Sequence, residues 1–358
     1  MQLVFESVSY AYSAPGKKKT GKGSKKNGAA VEATRGTAAS ADAKTGKTSK
    51  TGKKHFWSKG MRSESASTQD KPAWGNDPNN EYALTGVSFT LNEGEFLGIC
   101  GHTGSGKSTL IQHMNGLLSP TCGRVLLDGA DLADKKTQKT CRGAVGVVFQ
   151  YPEHQLFAQT VYDDVAFGPR NLGLSEDEVD ARVHEALENV SLDFDTLSQK
   201  SPFELSGGQQ RRVAFAGVLA MQPHILVLDE PAAGLDPKAR TSFLGLIEDL
   251  HAQGLTVVMV SHSMEDLARL ADQLLVLNQG QVFAQGTPAE VFADDGGLRS
   301  IGLDVPAAQR TANALRKRGI TLPRPLYTNA QDLAEDIAAA LGTVADVCAE
   351  SPQSGDAR

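Results

Sequence analysis

Gly101-His102-Thr103-Gly104-Ser105-Gly106-Lys107-Ser108 stands directly after the apolar run Phe96 to Cys100 and directly before a stretch in which Leu110, Met114 and Leu117 recur on one helical face. A strand that passes through G-x-x-x-x-G-K-[ST] into a helix is the context in which this spacing reads as a phosphate-binding loop. The glycines let successive backbone N–H groups turn inward around phosphate oxygens. Lys107 supplies a positive charge, and the helix N-terminus adds its dipole. Ser108 can then ligate Mg²⁺.

Two further stretches extend this chemistry. Ile225-Leu226-Val227-Leu228-Asp229-Glu230 reads as a buried parallel strand ending in two acids. Alone, such a pair could merely cap the next helix. Beside a phosphate loop it divides labour: Asp229 is placed to hold Mg²⁺ or its water, and Glu230 to orient or deprotonate an attacking water. Leu205-Ser206-Gly207-Gly208-Gln209 introduces a helix that continues through Gln210-Arg211-Arg212. A chance occurrence of those five residues is roughly one in a thousand. The Ser206 hydroxyl and the glycine N–H groups form a second anion site at a helix N-terminus. It follows the first by about 100 residues, so it need not serve the same nucleotide.

With these residues in hand, the sequence resembles an ABC ATPase. The resemblance implies an α/β fold of the P-loop NTPase class, with a RecA-like core, an antiparallel β-subdomain and a helical signature subdomain. It implies ATP as ligand and Mg²⁺ as cofactor, with His102, Thr103, Ser105 and Thr109 joining the glycines, Lys107 and Ser108 in the ATP site. Because the signature residues of such proteins complete the ATP site of the facing subunit, it also implies a dimer. Gln150, after the strand Val145 to Phe149, resembles the glutamine that senses Mg²⁺ and water and couples to a membrane partner. Asp236, in Ala233-Gly234-Leu235-Asp236, resembles the acid that crosses the dimer interface. His262, closing the strand Leu255 to Ser261, resembles the histidine that contacts the γ-phosphate, and Tyr12 the aromatic residue that stacks on adenine. Glu230, His262 and Gln150 form the implied catalytic set, and Ser108, Gln150 and Asp229 the implied metal set.

Longer stretches narrow the resemblance. GHTGSGKSTLIQHMNGLL (101–118), VFQYPEHQLFAQTVYDDVAFGPRNLGLS (148–175), SPFELSGGQQRRVAFAGVLAMQPHILVLDEP (201–231), VSHSMEDLARLAD and the later IGLDVP are similar to energy-coupling factor transporter ATPases, specifically the second paralogue. The likeness covers about residues 1–12 and 82–325. It implies a partner ATPase in a heterodimer, an integral coupling subunit and a substrate-binding membrane subunit for a vitamin or a transition-metal ion. The chain itself would sit at the cytoplasmic face of the membrane. Two departures stand out: a basic insertion, and Pro231-Ala232-Ala233 where Pro-Thr is common. The second is expected to be harmless, because the Thr lies outside the phosphate contacts. DNA-repair ABC proteins carry long coiled coils between glutamine and signature, whereas 55 residues separate Gln150 from Leu205 here; translation members usually carry two ATPase domains in a chain, and this one has a single phosphate loop. A nucleic-acid partner is therefore not expected. Other ABC transporter ATPases are separated by the YPEHQLF segment and by the lack of a clear C-terminal regulatory β-domain.

The bulk composition agrees. The 358 residues are 40% hydrophobic, enough for a large buried core, yet no apolar run approaches the roughly 18 to 20 residues that cross a bilayer. The first residues show no basic segment or cleavage site of a signal peptide, so a cytosolic chain is expected. Cys100, Cys122, Cys141 and Cys348 form no C-x-x-C pair and read as reduced thiols. The net charge of −6 is uneven: residues 13–80 hold 15 Lys/Arg against 5 Asp/Glu, and the remainder 21 against 37. That Gly-, Ser- and Lys-rich stretch has too few large apolar residues to offset its ordering entropy, so a disordered spacer is expected, with His55-Phe56-Trp57 as a hint of lipid or RNA contact. Residues 2–12 and 83–100 read as strands of one sheet. Ser175 to Glu178 is a capping box, followed at helical spacing by Val179, Val183, Leu187 and Val190. Asp236-Pro237 opens a helix that buries Phe243, Leu246, Ile247 and Leu250, and Asn278-Gln279-Gly280 reads as a hairpin turn. The expected layout is a nucleotide-binding domain over 1–297, with its helical subdomain at about 155–220, then a helical extension over 298–358 with a polar, disordered tail.

Overall fold

The computed structural model describes residues 1–12 and 82–349; the basic stretch 13–80 and the last residues of the tail, both read above as disordered, lie outside them. Strand β1 (Leu3–Ala11) pairs antiparallel with β2 (Tyr82–Leu91), and together with β4 (Cys122–Leu127) and β5 (Ala130–Asp131) they form a sheet in the order β2-β1-β4-β5. Strand β3 (Phe96–Gly101) does not join it, which corrects the expectation that 2–12 and 83–100 share a sheet. The turn after Leu91 passes the chain into a second sheet, whose order is β10-β9-β3-β8-β7-β6. Alternation along a strand reveals which residues face a core, and is blind to which sheet supplies the neighbour.

The second sheet comprises β6 (Val145–Val148), β7 (Ile225–Asp229), β8 (Thr256–Val260), β9 (Gln273–Asn278) and the edge strand β10 (Gln281–Gly286), besides β3. All its pairings are parallel except β9 with β10. Its middle strands are apolar throughout because both faces are covered. Ile225, Val227, Val258 and Val260 pack with helix α1 (Lys107–Met114) and the antiparallel sheet; Leu226, Leu228, Val257 and Met259 face the helices opposite. The β9–β10 turn is of the hairpin kind, with Gln279 and Gly280 at φ of 48° and 76°.

Helix α1 stops at Met114; Gly116 takes φ 69°, and Leu117, expected on its buried face, is 50% exposed. After α2 (Lys135–Ala144) come α3 (Val161–Leu172), α4 (Glu176–Asn189), the short α5 (Phe194–Leu197) and α6 (Gly207–Leu219), a cluster whose residues Val161, Val165, Val179, Val183, Leu187, Val213 and Phe215 form one apolar core. Ser175 and Glu178 cap α4 reciprocally, as expected. Helix α7 (Pro237–Ala252) buries Phe243, Ile247 and Leu250 and also Leu244, while Leu246 is only half-buried. Helices α8 (Met264–Leu270), α9 (Pro288–Ala293) and α10 (Asp295–Ser300) lead into α11 (Ala307–Lys317) and α12 (Ala330–Ala349). Leu298, Leu303 and Val305 belong to the main core, so the chain beyond 297 is anchored to the body that precedes it. A small satellite core of Ala312, Leu322, Tyr327 and Leu333 closes the extension. There the Tyr327 hydroxyl donates to Asp336 at 2.6 Å, and Asn313 donates to the Phe292 carbonyl at 2.9 Å.

Candidate nucleotide-binding site

In a parallel sheet, ligands sit beyond the carboxyl ends of the strands. Four strands here end on polar groups at that edge: β3 in the loop from Gly101, β6 in Gln150, β7 in Asp229 and Glu230, and β8 in His262. Thr103, Gly104, Gly106, Lys107, Ser108, Thr109, Gln150, Asp229, Glu230 and His262 all line one cleft of about 570 Å³, with Tyr12 at its margin. Sequence reading missed two of its walls, Ala83 and Ala233; a small apolar residue beside a loop carries no signal of its own.

The loop geometry explains its glycines. A β-carbon at Gly101 (φ 150°) would lie 2.3 Å from the Leu277 carbonyl oxygen, and at Gly106 (φ 102°) 2.5 Å from that of Ala83. Gly104 (φ 82°) has free space around it and is needed for its backbone alone. The buried Ser105 hydroxyl has no hydrogen-bond partner among the described residues. Lys107 lies along the loop, its Nζ donating to the carbonyls of Gly101 (2.6 Å) and His102 (2.9 Å). Burial lowers its affinity for the proton, with the charges of Glu230 and Asp229 opposing. Tyr12 is 65% exposed and its hydroxyl lies 2.9 Å from Oγ1 of Thr109, a position beside the loop. His102 faces the C-terminal extension: a β-carbon at Gly302 would stand 2.6 Å from its Nε2.

Opposite the loop, burial raises the pKa of Asp229 against the pull of Lys107. Glu230 is raised as well, again chiefly by burial, with the charge of Asp229 adding to it. Its Oε1 has no hydrogen-bond partner among the described residues, and His262 Nε2 is 3.4 Å away. Burial, aided by the charges of Lys107 and His102, keeps His262 below its ordinary value, so it is neutral near pH 7. A neutral imidazole beside the Glu230 carboxylate leaves that charge in place, and the His262 backbone hydrogen bond favours it. Glu230 itself adopts φ 52°, a left-handed backbone that costs a non-glycine residue about 1–2 kcal/mol and concentrates where function demands it.

The signature residues Leu205 to Gln209 do not line this cleft. Ser206 caps α6 from outside, its Oγ accepting from the Gln209 N–H at 3.4 Å while Gln209 reaches back to the Ser206 N–H at 3.1 Å. Asp236 is likewise exposed and caps α7, accepting from the N–H groups of Lys238 and Ala239 at 3.0 Å each.

The ABC transporter family profile matches residues 84–233. A protein of Symbiobacterium thermophilum named energy-coupling factor transporter ATP-binding protein EcfA2 is 56% identical over 264 residues, 74% of this chain and 90% of its own length. The protein of the same name from Clostridium perfringens is 50% identical over 256 residues, 71% of this chain and 90% of that one. Among solved structures, cbiO1 from Clostridium perfringens, part of the ABC transporter complex cbiONQ, superposes with TM-score 0.56 at 37% identity, covering 68% of this chain and 95% of that one. The ATP-binding cassette MJ0796, in a dimeric post-hydrolysis state bound to ADP and Pi, superposes with TM-score 0.53 at 32% identity, covering 59% of this chain and 93% of that one. The loop after β3, the acids after β7, the fold and these relatives together identify the chain as a member of the energy-coupling factor transporter ATP-binding subunits, ABC ATPases that hydrolyse ATP to drive transport.

Proposed function

We propose that the chain energises an importer for a vitamin or a transition-metal ion by closing with a second, similarly built ATPase, each ATP being held by the Lys107 loop of one subunit and the signature of the other. Gly207 and Gly208 carry this reading. Neither takes a left-handed φ, and a β-carbon at either would meet nothing within 4 Å. Nothing among the described residues calls for glycine there, and glycine favours a helix less than alanine does. The need is met by a ligand approaching from outside, onto the exposed N-terminus that Ser206 caps.

Within the site, the loop N–H groups and Lys107 bind the β- and γ-phosphates, and the Tyr12 ring offers a face to adenine. Glu230, whose Oε1 accepts no hydrogen bond among the described residues and whose pKa is raised by burial, receives the proton of the attacking water. Neutral His262 orients the γ-phosphate from the other side. Among the described residues no three His, Cys, Asp or Glu gather as a metal cage, which suits an ion held by few protein ligands and by phosphate oxygens. Ser108, Gln150 and Asp229 would hold Mg²⁺, which would supply charge neutralisation on the transferring phosphoryl group. Asp236, exposed at the start of α7, faces the partner subunit.

The membrane-side contact falls beyond Gln150. Phe157 and Phe167 are 61% and 51% exposed, meet edge to face at 4.9 Å, and open a groove floored by Met221 and rimmed by Asp164 and Arg142. Among the described residues no helix is long and apolar enough to cross a membrane, so transport requires integral partners. The groove takes a cytoplasmic helix of the integral coupling subunit, and a further membrane subunit supplies the substrate site, with this chain on the cytoplasmic face. Purification from membranes through a tag on this chain, with identification of the co-purifying proteins, tests the reading. It expects a second ATPase and integral proteins, the integral proteins being displaced by Phe167→Asp; isolation of the chain with no integral protein would contradict it.

A further inference from the structure

Arg211 lies on α6, five residues beyond Ser206, and is 4% exposed. Its Nε and Nη2 donate to the two carboxylate oxygens of Glu153 at 3.0 and 2.8 Å, a bidentate fork. Its Nη1 donates to the carbonyl oxygens of Ala233 at 2.8 Å and Pro231 at 3.4 Å. Its guanidinium carbon stands 5.9 Å from the centre of the Tyr151 ring. One side chain thus bridges three segments: the stretch after Gln150, the signature helix, and the loop between Glu230 and Asp236.

Both loops contain backbone strain. Tyr151, next to Gln150, takes φ 56°, and Glu230, next to Pro231, takes φ 52°. Left-handed backbone at non-glycine residues persists only where the surroundings over-determine it. The surroundings shared by these two positions are the Arg211 guanidinium: it touches the Tyr151 ring on one side and the carbonyl after Glu230 on the other. Tyr151 is also braced by Gly234, where a β-carbon would stand 3.5 Å from Cε1 of its ring. A lysine could not reproduce the arrangement, since it lacks the planar fork that reaches a carboxylate and two carbonyls at once.

We propose that Arg211 is a positioning residue that fixes Gln150 and Glu230 relative to each other and to the signature helix, so that ATP seated on the Lys107 loop meets a correctly spaced pair. This rests on the reading of Glu230 and Gln150 given above. Arg211 does not itself line the cleft and reaches its wall only through the Ala233 carbonyl, away from the Lys107 loop, so its loss should act on turnover and spare nucleotide affinity.

The test uses the assembly isolated through a tag on the full chain, with Arg211→Gln, Arg211→Lys, Glu153→Gln and Gln150→Ala variants. ATP affinity is measured by fluorescent-nucleotide titration and turnover by phosphate release. We expect Arg211→Gln, Arg211→Lys and Glu153→Gln each to lower kcat at least tenfold with affinity held within threefold. In a Gln150→Ala background the same changes should cost less than threefold more, because the group being positioned is gone. Glu153→Gln, at the half-buried end of the fork, carries the test if Arg211→Gln fails to fold. Turnover within twofold of wild type in these variants, or full additivity with Gln150→Ala, would overturn the proposal. A wild-type assembly that releases no phosphate would instead strike at the underlying ATPase reading.

Discussion

Replacing Glu230 by glutamine removes one charge and preserves shape, and the structure specifies three separate consequences. The first is on turnover. Oε1 is buried, accepts no hydrogen bond among the described residues and lies 3.4 Å from His262 Nε2, and in the proposed mechanism this carboxylate is the proton acceptor. A positioned general base contributes about 10²–10⁴-fold, equivalent to roughly 3–5 kcal/mol of barrier, and kcat should fall by that amount. The second is on binding. In the proposed site the loop from Gly101 to Ser108, across the cleft, would hold the phosphates, so ATP affinity should stay within a few-fold. The third is on stability. Burial raises the Glu230 pKa, which means the folded chain binds a proton more readily than the unfolded one. Stability therefore falls as pH rises from the ordinary glutamate value of 4.5 through the folded value, and above that value the full cost of the buried charge remains. Near pH 7.5 the neutral amide should unfold at higher denaturant than wild type, and the acid side of the pH–rate profile should disappear with the base. Phosphate release and urea denaturation on one preparation read all three. Undiminished turnover, or a variant less stable than wild type at that pH, would refute the reasoning.

Two other perturbations probe the loop and the helix behind it. Gly106→Ala forces a β-carbon to 2.5 Å from the Ala83 carbonyl at φ 102°, so about 1–2 kcal/mol of backbone strain adds to a steric clash; nucleotide titration should show binding lost while circular dichroism retains the fold. His113 is fully buried on α1; Nδ1 donates to the Thr109 carbonyl at 2.7 Å and Nε2 has no partner. Burial lowers its pKa, so acid favours the unfolded chain: stability should decline as pH drops below about 6.5, and His113→Leu should flatten that slope in denaturation at several pH values. An unchanged slope would show that other groups govern acid sensitivity.

Much of the site was legible because its signals are local. The glycine spacing of 101–106, the acids closing an apolar strand, the helix opened at Ser206, and the Asn278-Gln279-Gly280 turn each encode a backbone shape within a few residues. The fold brings the first two to one sheet edge and leaves the signature outside that cleft. What stayed hidden depends on distant partners. Arg211 reads as an exposed cation on a polar helix face until Glu153, 58 residues earlier, is brought against it. Gly302 gives no hint that it abuts His102. The separation of β2 from β3 into different sheets, and the early end of α1 before Leu117, are set by tertiary packing that periodicity does not encode. Asp236 shows a different limit: in this chain it is a helix cap, and only a facing subunit could add a further role.

The shared-site geometry is tested most directly by Ser206→Asp. Aspartate is as good a helix cap as serine and suits the N-terminal dipole, so the stability of the chain should change by no more than about 0.5 kcal/mol. A carboxylate at the tip of α6 would nevertheless meet the triphosphate held by the facing subunit, where like charges about 4 Å apart repel by about 1–4 kcal/mol per pair. Phosphate release by the tagged assembly should fall at least tenfold while this chain's own nucleotide affinity is retained. Wild-type turnover in that folded variant would contradict a site completed by the signature of the opposing subunit.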